Sequence, residues 1–250
     1  MNASRNSKAY LNLPPQYRQF HDAMARFGPG TRLLIDPFRT LAYGTDASFY
    51  RLIPKIVIKV RTAAEVTEVL RTANRLNIPL TFRAAGTSLS GQAVTDSVLV
   101  LLAGAWKRLA VHGQGERITL EPGVIGAEAN RSLAPYNRKI GPDPASINSC
   151  MIGGIAANNA SGMCCGTAQS SYQTVESMKI LFADGTMLDT GDPQSRRAFL
   201  QARPDIVREI VRIRDYISRD RALQERIIHK YRIKNTTGYS INAFVDYDDP

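Results

Sequence analysis

The chain has 250 residues, 44% of them apolar and 22% charged, with a formal net charge of +10. That length and apolar content suit one sizeable core or two small ones in a soluble globular protein. The longest apolar run, Val98 to Ala103, is far below the roughly 20 residues of a spanning helix, and the polar start MNASRNSK lacks a secretory h-region, so an intracellular location is expected.

A helical lead is expected over residues 1–40. The β-branched run Ile56-Val57-Ile58-Lys59-Val60 then reads as a buried strand. Thr62-Ala63-Ala64-Glu65 has capping-box spacing, and Val66, Val69, Leu70, Ala73 and Leu76 follow at helical period until Asn77 and Pro79 stop the helix. Leu80-Thr81-Phe82 is a second strand, so 56–83 is read as a βαβ unit with a right-handed crossover. The stretch 83-RAAGTSLSGQAV-94 leaves the carboxyl end of that strand, where ligands of open α/β sheets sit.

This loop combines the N–H groups of Ala84 to Ser88, two hydroxyls and little bulk. It suits either a tight turn or a nest around phosphate oxygens, a diphosphate being a natural guest. GxxxxGK[ST] is absent and no GxGxxG opens directly into a helix, which disfavours the P-loop and nicotinamide-type folds. Another strand is expected at Val98 to Leu102.

Arg117 to Leu120 reads as a strand, Glu121-Pro122-Gly123-Val124 as a turn and Gly126 to Tyr136 as a helix, before 141-GPDPASI-147, stiffened by two prolines. The stretch 148-NSCMIGGIAANNASGMCCG-166 is a glycine-rich connector or a second place of close backbone approach to a ligand, and paired with the first loop it suggests an elongated ligand. Cys150, Cys164 and Cys165 cannot make a disulfide framework and lack metal-ligand spacing, so they are expected to be buried small residues. Val175 to Phe182 and Thr186 to Asp189 flank Ala183-Asp184-Gly185 as a hairpin.

Arg196 to Lys234 holds 12 Lys or Arg against five Asp or Glu, which supplies +7 of the net charge. Within it, Ile206, Val207, Ile210, Val211, Ile213 and Ile217 form one stripe of an amphipathic helix. Its charges are mixed in sign, so nucleic-acid binding is disfavoured, and contact with acidic lipid headgroups or with another part of a larger protein is preferred.

In order and spacing, 43-YGTDASFYRLIPKIVIKVRTAAEVTEVL-70, 82-FRAAGTSLSGQ-92, 121-EPGV-124, 141-GPDP-144, 153-GGIAANNASG-162 and 184-DG-185 resemble the FAD-binding domain of the vanillyl-alcohol oxidase type, the PCMH-type flavoproteins. The wording from Gly141 to Val175 most resembles D-lactate dehydrogenases with a fused iron–sulfur module, and the D-2-hydroxyglutarate dehydrogenases share the skeleton.

The resemblance implies an α+β fold of two α/β subdomains, 41–115 and 116–250, the second incomplete at its C-terminal end. It implies non-covalent FAD, with no histidine in either glycine-bearing loop to attach it, and places any iron–sulfur cluster beyond Pro250. Arg83, Ala84, Ala85, Gly86, Thr87 and Ser88 would wrap the diphosphate. Pro142, Asp143 and Ser149 would lie along the flavin end, and Met151, Gly153, Gly154, Ala157, Asn158 and Gly162 along the remaining length. Two alanines stand where relatives often have glycines, and Met151 where they commonly have threonine. The implied reaction is oxidation of a D-2-hydroxy acid, D-lactate first, by hydride transfer to flavin, with a quinone or cytochrome as electron acceptor and a base supplied outside these residues. A cytoplasmic protein with peripheral contact at the inner membrane face is expected. The competing readings are a non-catalytic nucleotide-binding module and a basic interaction protein.

Overall fold

Four strands make the central sheet of the first unit: β1 (Leu33–Leu34), β2 (Ile56–Lys59), β3 (Leu80–Arg83) and β4 (Val98–Leu101), in the order β1-β2-β4-β3. The structure is a computed structural model describing residues 8–26, 32–102, 104–162, 164–235 and 238–248. Part of the expected N-terminal helical lead falls on 1–7 and 27–31, outside the described residues; within them lies the helix Pro15–Ala25.

β4 runs parallel to both β2 and β3, and β1 is antiparallel to β2. The 56–83 segment is therefore not a pair of adjacent strands, because β4 is inserted between β2 and β3. Its side chains explain the insertion. All four residues of β4 are buried, as a strand covered on both faces requires. Alternate positions divide between two clusters: Val98 and Val100 join Ile56, Ile58, Phe20, Met24 and Val69, while Leu99 and Leu101 join Leu34 and Val57.

The helix Ala63–Arg75 covers the first of these faces. Thr62 Oγ1 accepts from the Glu65 N–H at 3.2 Å, as the spacing predicts. The glutamate reaches one residue further back than a capping box does, accepting the Arg61 N–H at 2.7 Å, and it also pairs with the Arg32 guanidinium. Beyond the sheet, β5 (Leu109–His112) and β6 (Arg117–Leu120) form an antiparallel hairpin, followed by the helix Gly126–Leu133 and a 3₁₀ turn to Tyr136.

The chain divides into two units: 1–138, 148–154 and 181–185 in the first, and 139–147, 155–180 and 186–250 in the second. In the second unit the helix Pro204–Arg219 packs against Pro193–Ala202, Arg221–Tyr231 and Ala243–Asp246. Asp192 and Asp220 cap the first and third of these four in chain order. Of the stripe predicted on Pro204–Arg219, Ile217 is buried and the others are half-buried.

The acidic residues of this basic segment are engaged locally: Asp205 with Arg203, Glu209 with Arg212, Asp215 with Arg214 and Glu225 with Arg221. Arg208 and Arg219 stand exposed on the surface. The hairpin is present as β7 (Lys179–Leu181) and β8 (Met187–Asp189), with Gly185 at φ +80° in its turn. Cys150 and Cys165 are buried as expected, but Cys164 is exposed because its turn faces solvent. Among the described residues, no helix is long and apolar enough to cross a membrane, and no three metal-ligating side chains cluster.

Candidate cofactor-binding site

β3 delivers the chain to the carboxyl edge of the sheet, where Arg83 is the last paired residue. From there the backbone turns through Ala84 and Ala85, and Gly86 takes φ +73°, a conformation that side chains resist. The N–H groups of Ala84, Ala85, Gly86, Thr87 and Ser88 donate to no protein acceptor among the described residues. All five residues are half-buried or exposed, so these donors are open to a ligand. Successive free amides without an acidic side chain among them make an anion-binding concavity.

Arg83, at the start of this loop, faces inward. Arg83 is 7% exposed; its Nε donates to Ala93 O at 2.8 Å and its Nη2 to Tyr43 O at 3.0 Å and also to Ala93 O. Burial lowers its pKa and the Asp46 charge opposes that shift, and the guanidinium remains a cation. Ser88 Oγ accepts from the N–H groups of Ser90 and Gln92 and donates to Gln92 Oε1. Its hydroxyl thus closes the far end of the loop.

The second small-residue segment approaches this loop within the first unit. Ile152 and Gly153 donate to Val124 O and Pro122 O at 2.9 and 2.8 Å, and Met151 bridges Ile125, so the segment is fastened to the 121–125 turn. A Cβ on Gly153 would lie 2.9 Å from Pro122 Cβ, which explains that glycine by chain packing. Gly154 differs: it is exposed, and the nearest atom to its ideal Cβ is Ala84 Cβ at 4.0 Å. Gly154 thus lies close to Ala84, the first residue of the open amides. Ser149 lies exposed just before this segment and Met151 is half-buried.

Pro142, Asp143, Ala157, Asn158 and Gly162 belong to the second unit. There an ideal Cβ on Gly162 would sit 1.6 Å from Asp143 O, so the glycine makes room for the protein's own backbone. Its N–H donates to Cys165 Sγ at 2.8 Å, and Lys234 Nζ reaches its carbonyl at 3.4 Å. Asp143 Oδ2 accepts from Lys139 Nζ at 3.1 Å. Ala157 and Asn158 are lined by Gly238, whose ideal Cβ would be 2.1 Å from Ala157 O.

Two residues absent from the sequence reading organise these places. Asp46 Oδ1 accepts from Ser48 N–H at 2.8 Å and its Oδ2 from Ala93 N–H at 3.3 Å. The Asp46-Ala47-Ser48 spacing of an Asx turn was its available signal. Asn159, at φ +46°, bridges Asn235 O and Tyr172 N–H at 3.1 and 2.8 Å. Nothing local in the sequence marks that partnership.

The profile of the FAD binding domain family matches residues 54–191, and the chain belongs to this family of PCMH-type flavoproteins. The residues fit its cofactor, FAD: open amides answer a diphosphate, and the small residues Ala84 and Gly154 add no bulk beside them. The chain is 31% identical over 172 residues to the glycolate oxidase subunit GlcD of Escherichia coli K12, covering 68% of this chain and 34% of that protein. It is 26% identical to D-2-hydroxyglutarate dehydrogenase of Pantoea ananatis, covering 60% and 15%, and 28% identical to D-lactate dehydrogenase of Archaeoglobus fulgidus, covering 54% and 31%. The matches thus span about a third or less of these relatives. Among solved structures, an alkyldihydroxyacetonephosphate synthase superposes with TM-score 0.60 at 17% identity over 74% of this chain and 38% of that one. The grass pollen allergen Phl p 4 superposes with TM-score 0.57 at 15% identity, covering 69% and 38%. These likenesses establish the fold, which is α+β.

Proposed function

We propose that the chain is the FAD-holding part of a dehydrogenase that oxidises a D-2-hydroxy acid, D-lactate to pyruvate being the first choice. The observation that carries the cofactor half is the row of unpartnered amides from Ala84 to Ser88 opposite Gly154. The substrate half rests on the relatives, whose names share a 2-hydroxycarboxylate. When bound, FAD supplies the acceptor for the hydride leaving C2 of such an acid. The residues of this chain hold and orient: the 84–88 amides grip the diphosphate, and the small Ala84 and Gly154 keep bulk away from it. Proton removal from the substrate hydroxyl is assigned to no residue here, since neither small-residue segment carries a histidine and Asp143 is paired with Lys139.

A second reading, glycolate as substrate, is favoured by the 31% identity to the glycolate oxidase subunit. A quinone or cytochrome is the proposed electron acceptor. The proposed location is the cytoplasm, with peripheral contact at the inner membrane face through the exposed cations of 196–234. Anaerobic addition of D-lactate, D-2-hydroxyglutarate or glycolate to the full-length flavoprotein tests the reading. Bleaching of the flavin band fastest with D-lactate supports it; fastest bleaching with glycolate supports the second reading, and no bleaching with any of the three overturns both.

A further inference from the structure

We propose that Arg83 and Asp46 are positioning residues that hold the Ala84–Ser88 amides in their anion-binding arrangement before the cofactor arrives. The proposal rests on the FAD reading above and adds the device that preorganises the loop. It is carried by where the two side chains point. The guanidinium is bonded to carbonyls on both flanks, Tyr43 O before the loop and Ala93 O after it. The peptide groups of Ala93 are held from both sides, the N–H by Asp46 Oδ2 at 3.3 Å and the carbonyl by Arg83 Nε at 2.8 Å.

The same 43–50 segment touches the loop at two further places. Ala47 N–H donates to Gly86 O at 3.1 Å, and the Tyr50 ring lies so close to Gly91 that an added Cβ would meet its Cδ2 at 2.7 Å. Gly86 rests over the aliphatic stem of Arg83, its ideal Cβ 3.3 Å from Cδ. Five consecutive unsatisfied donors have no internal reason to stay in register. Fixing them in advance removes part of the ordering cost that binding otherwise carries. A planar, multiply bonded guanidinium suits this task, and a single ammonium cannot reach both flanks in the same way.

The test compares FAD affinity, by flavin fluorescence titration of the full-length apoprotein, for wild type, Arg83→Ala, Arg83→Lys and Asp46→Asn, at several salt concentrations. Both Arg83 variants are expected to bind FAD about 30-fold more weakly. Millimolar methylguanidinium should restore part of the affinity of Arg83→Ala and leave Arg83→Lys unchanged. The salt dependence of binding should keep the wild-type slope, because the guanidinium does not touch the phosphates. A flattened slope in Arg83→Ala overturns the proposal in favour of direct contact, and wild-type affinity in both Arg83→Lys and Asp46→Asn overturns it outright. These two milder variants keep the test decisive if Arg83→Ala does not fold. Wild-type protein that binds no FAD sinks the cofactor reading itself, a result distinct from equal binding by all variants.

Discussion

Replacing Gly154 by alanine separates cofactor binding from stability, because the two should move in opposite directions. In the protein alone the new methyl meets nothing nearer than Ala84 Cβ at 4.0 Å, an ordinary van der Waals contact. Gly154 lies in the helix Ile152–Ala157, where alanine is favoured over glycine by roughly 0.5–1 kcal/mol. The apoprotein should therefore melt about 2 °C higher. With FAD present, the same methyl crowds a diphosphate seated on the amides beside Ala84. Overpacking of this kind costs about 1–3 kcal/mol, so the dissociation constant should rise roughly 5- to 150-fold. Thermal melting of the apoprotein and fluorimetric titration with FAD read the two effects independently. A variant with raised melting temperature and unchanged FAD affinity would refute the idea that the diphosphate lies beside Ala84 and Gly154.

Gly162→Ala should instead damage the second unit's fold, since its Cβ would overlap Asp143 O at 1.6 Å; the expected loss is about 3 kcal/mol or more, read by denaturant unfolding. Thr62→Ala removes the acceptor of the Glu65 N–H and should lower stability by about 1 kcal/mol while leaving FAD affinity within twofold, measured by the same two assays. The Asp46 carboxyl has a depressed pKa: burial pushes it upward, and hydrogen bonds from Ser48 and Ala93 with the Arg83 charge outweigh that push. Its stabilising contribution is thus fully present above the unfolded value near pH 4 and is lost as pH falls through the lower folded value. The stability difference between wild type and Asp46→Asn should accordingly be constant above about pH 5 and shrink under more acid conditions. A difference that grows on acidification would show that the carboxylate is not stabilised in the folded state.

The local elements were legible because their causes are local. The Thr62 cap, the apolar period from Val66 to Ala73 and the Asp184-Gly185 turn all depend on neighbours within a few residues. Sheet order was not legible in the same way. Val98 to Leu101 reads as a buried strand from its composition, but its insertion between β2 and β3 depends on side-chain packing across two faces.

The site shows the same division. Small residues at 84–88 and 153–154 announce close approach of backbone, whereas the reason for each differs once partners are seen: Gly153 makes room for Pro122, Gly162 for Asp143, and Gly154 for neither. Arg83 illustrates the limit most clearly. The resemblance implies a backbone role at the diphosphate and says nothing of the side chain, which is directed to Ala93 and Tyr43. Asp46 lies 37 residues earlier, and only the folded chain brings its carboxylate to the Ala93 N–H.

The most direct test of the central claim is a crystal structure of the protein with FAD bound. Diphosphate oxygens should lie about 2.7–3.2 Å from amide nitrogens of the Ala84–Ser88 loop, with Arg83 still bonded to Ala93 O and Tyr43 O. A bound cofactor whose diphosphate lies away from those amides, or is held by the Arg83 guanidinium itself, would contradict it.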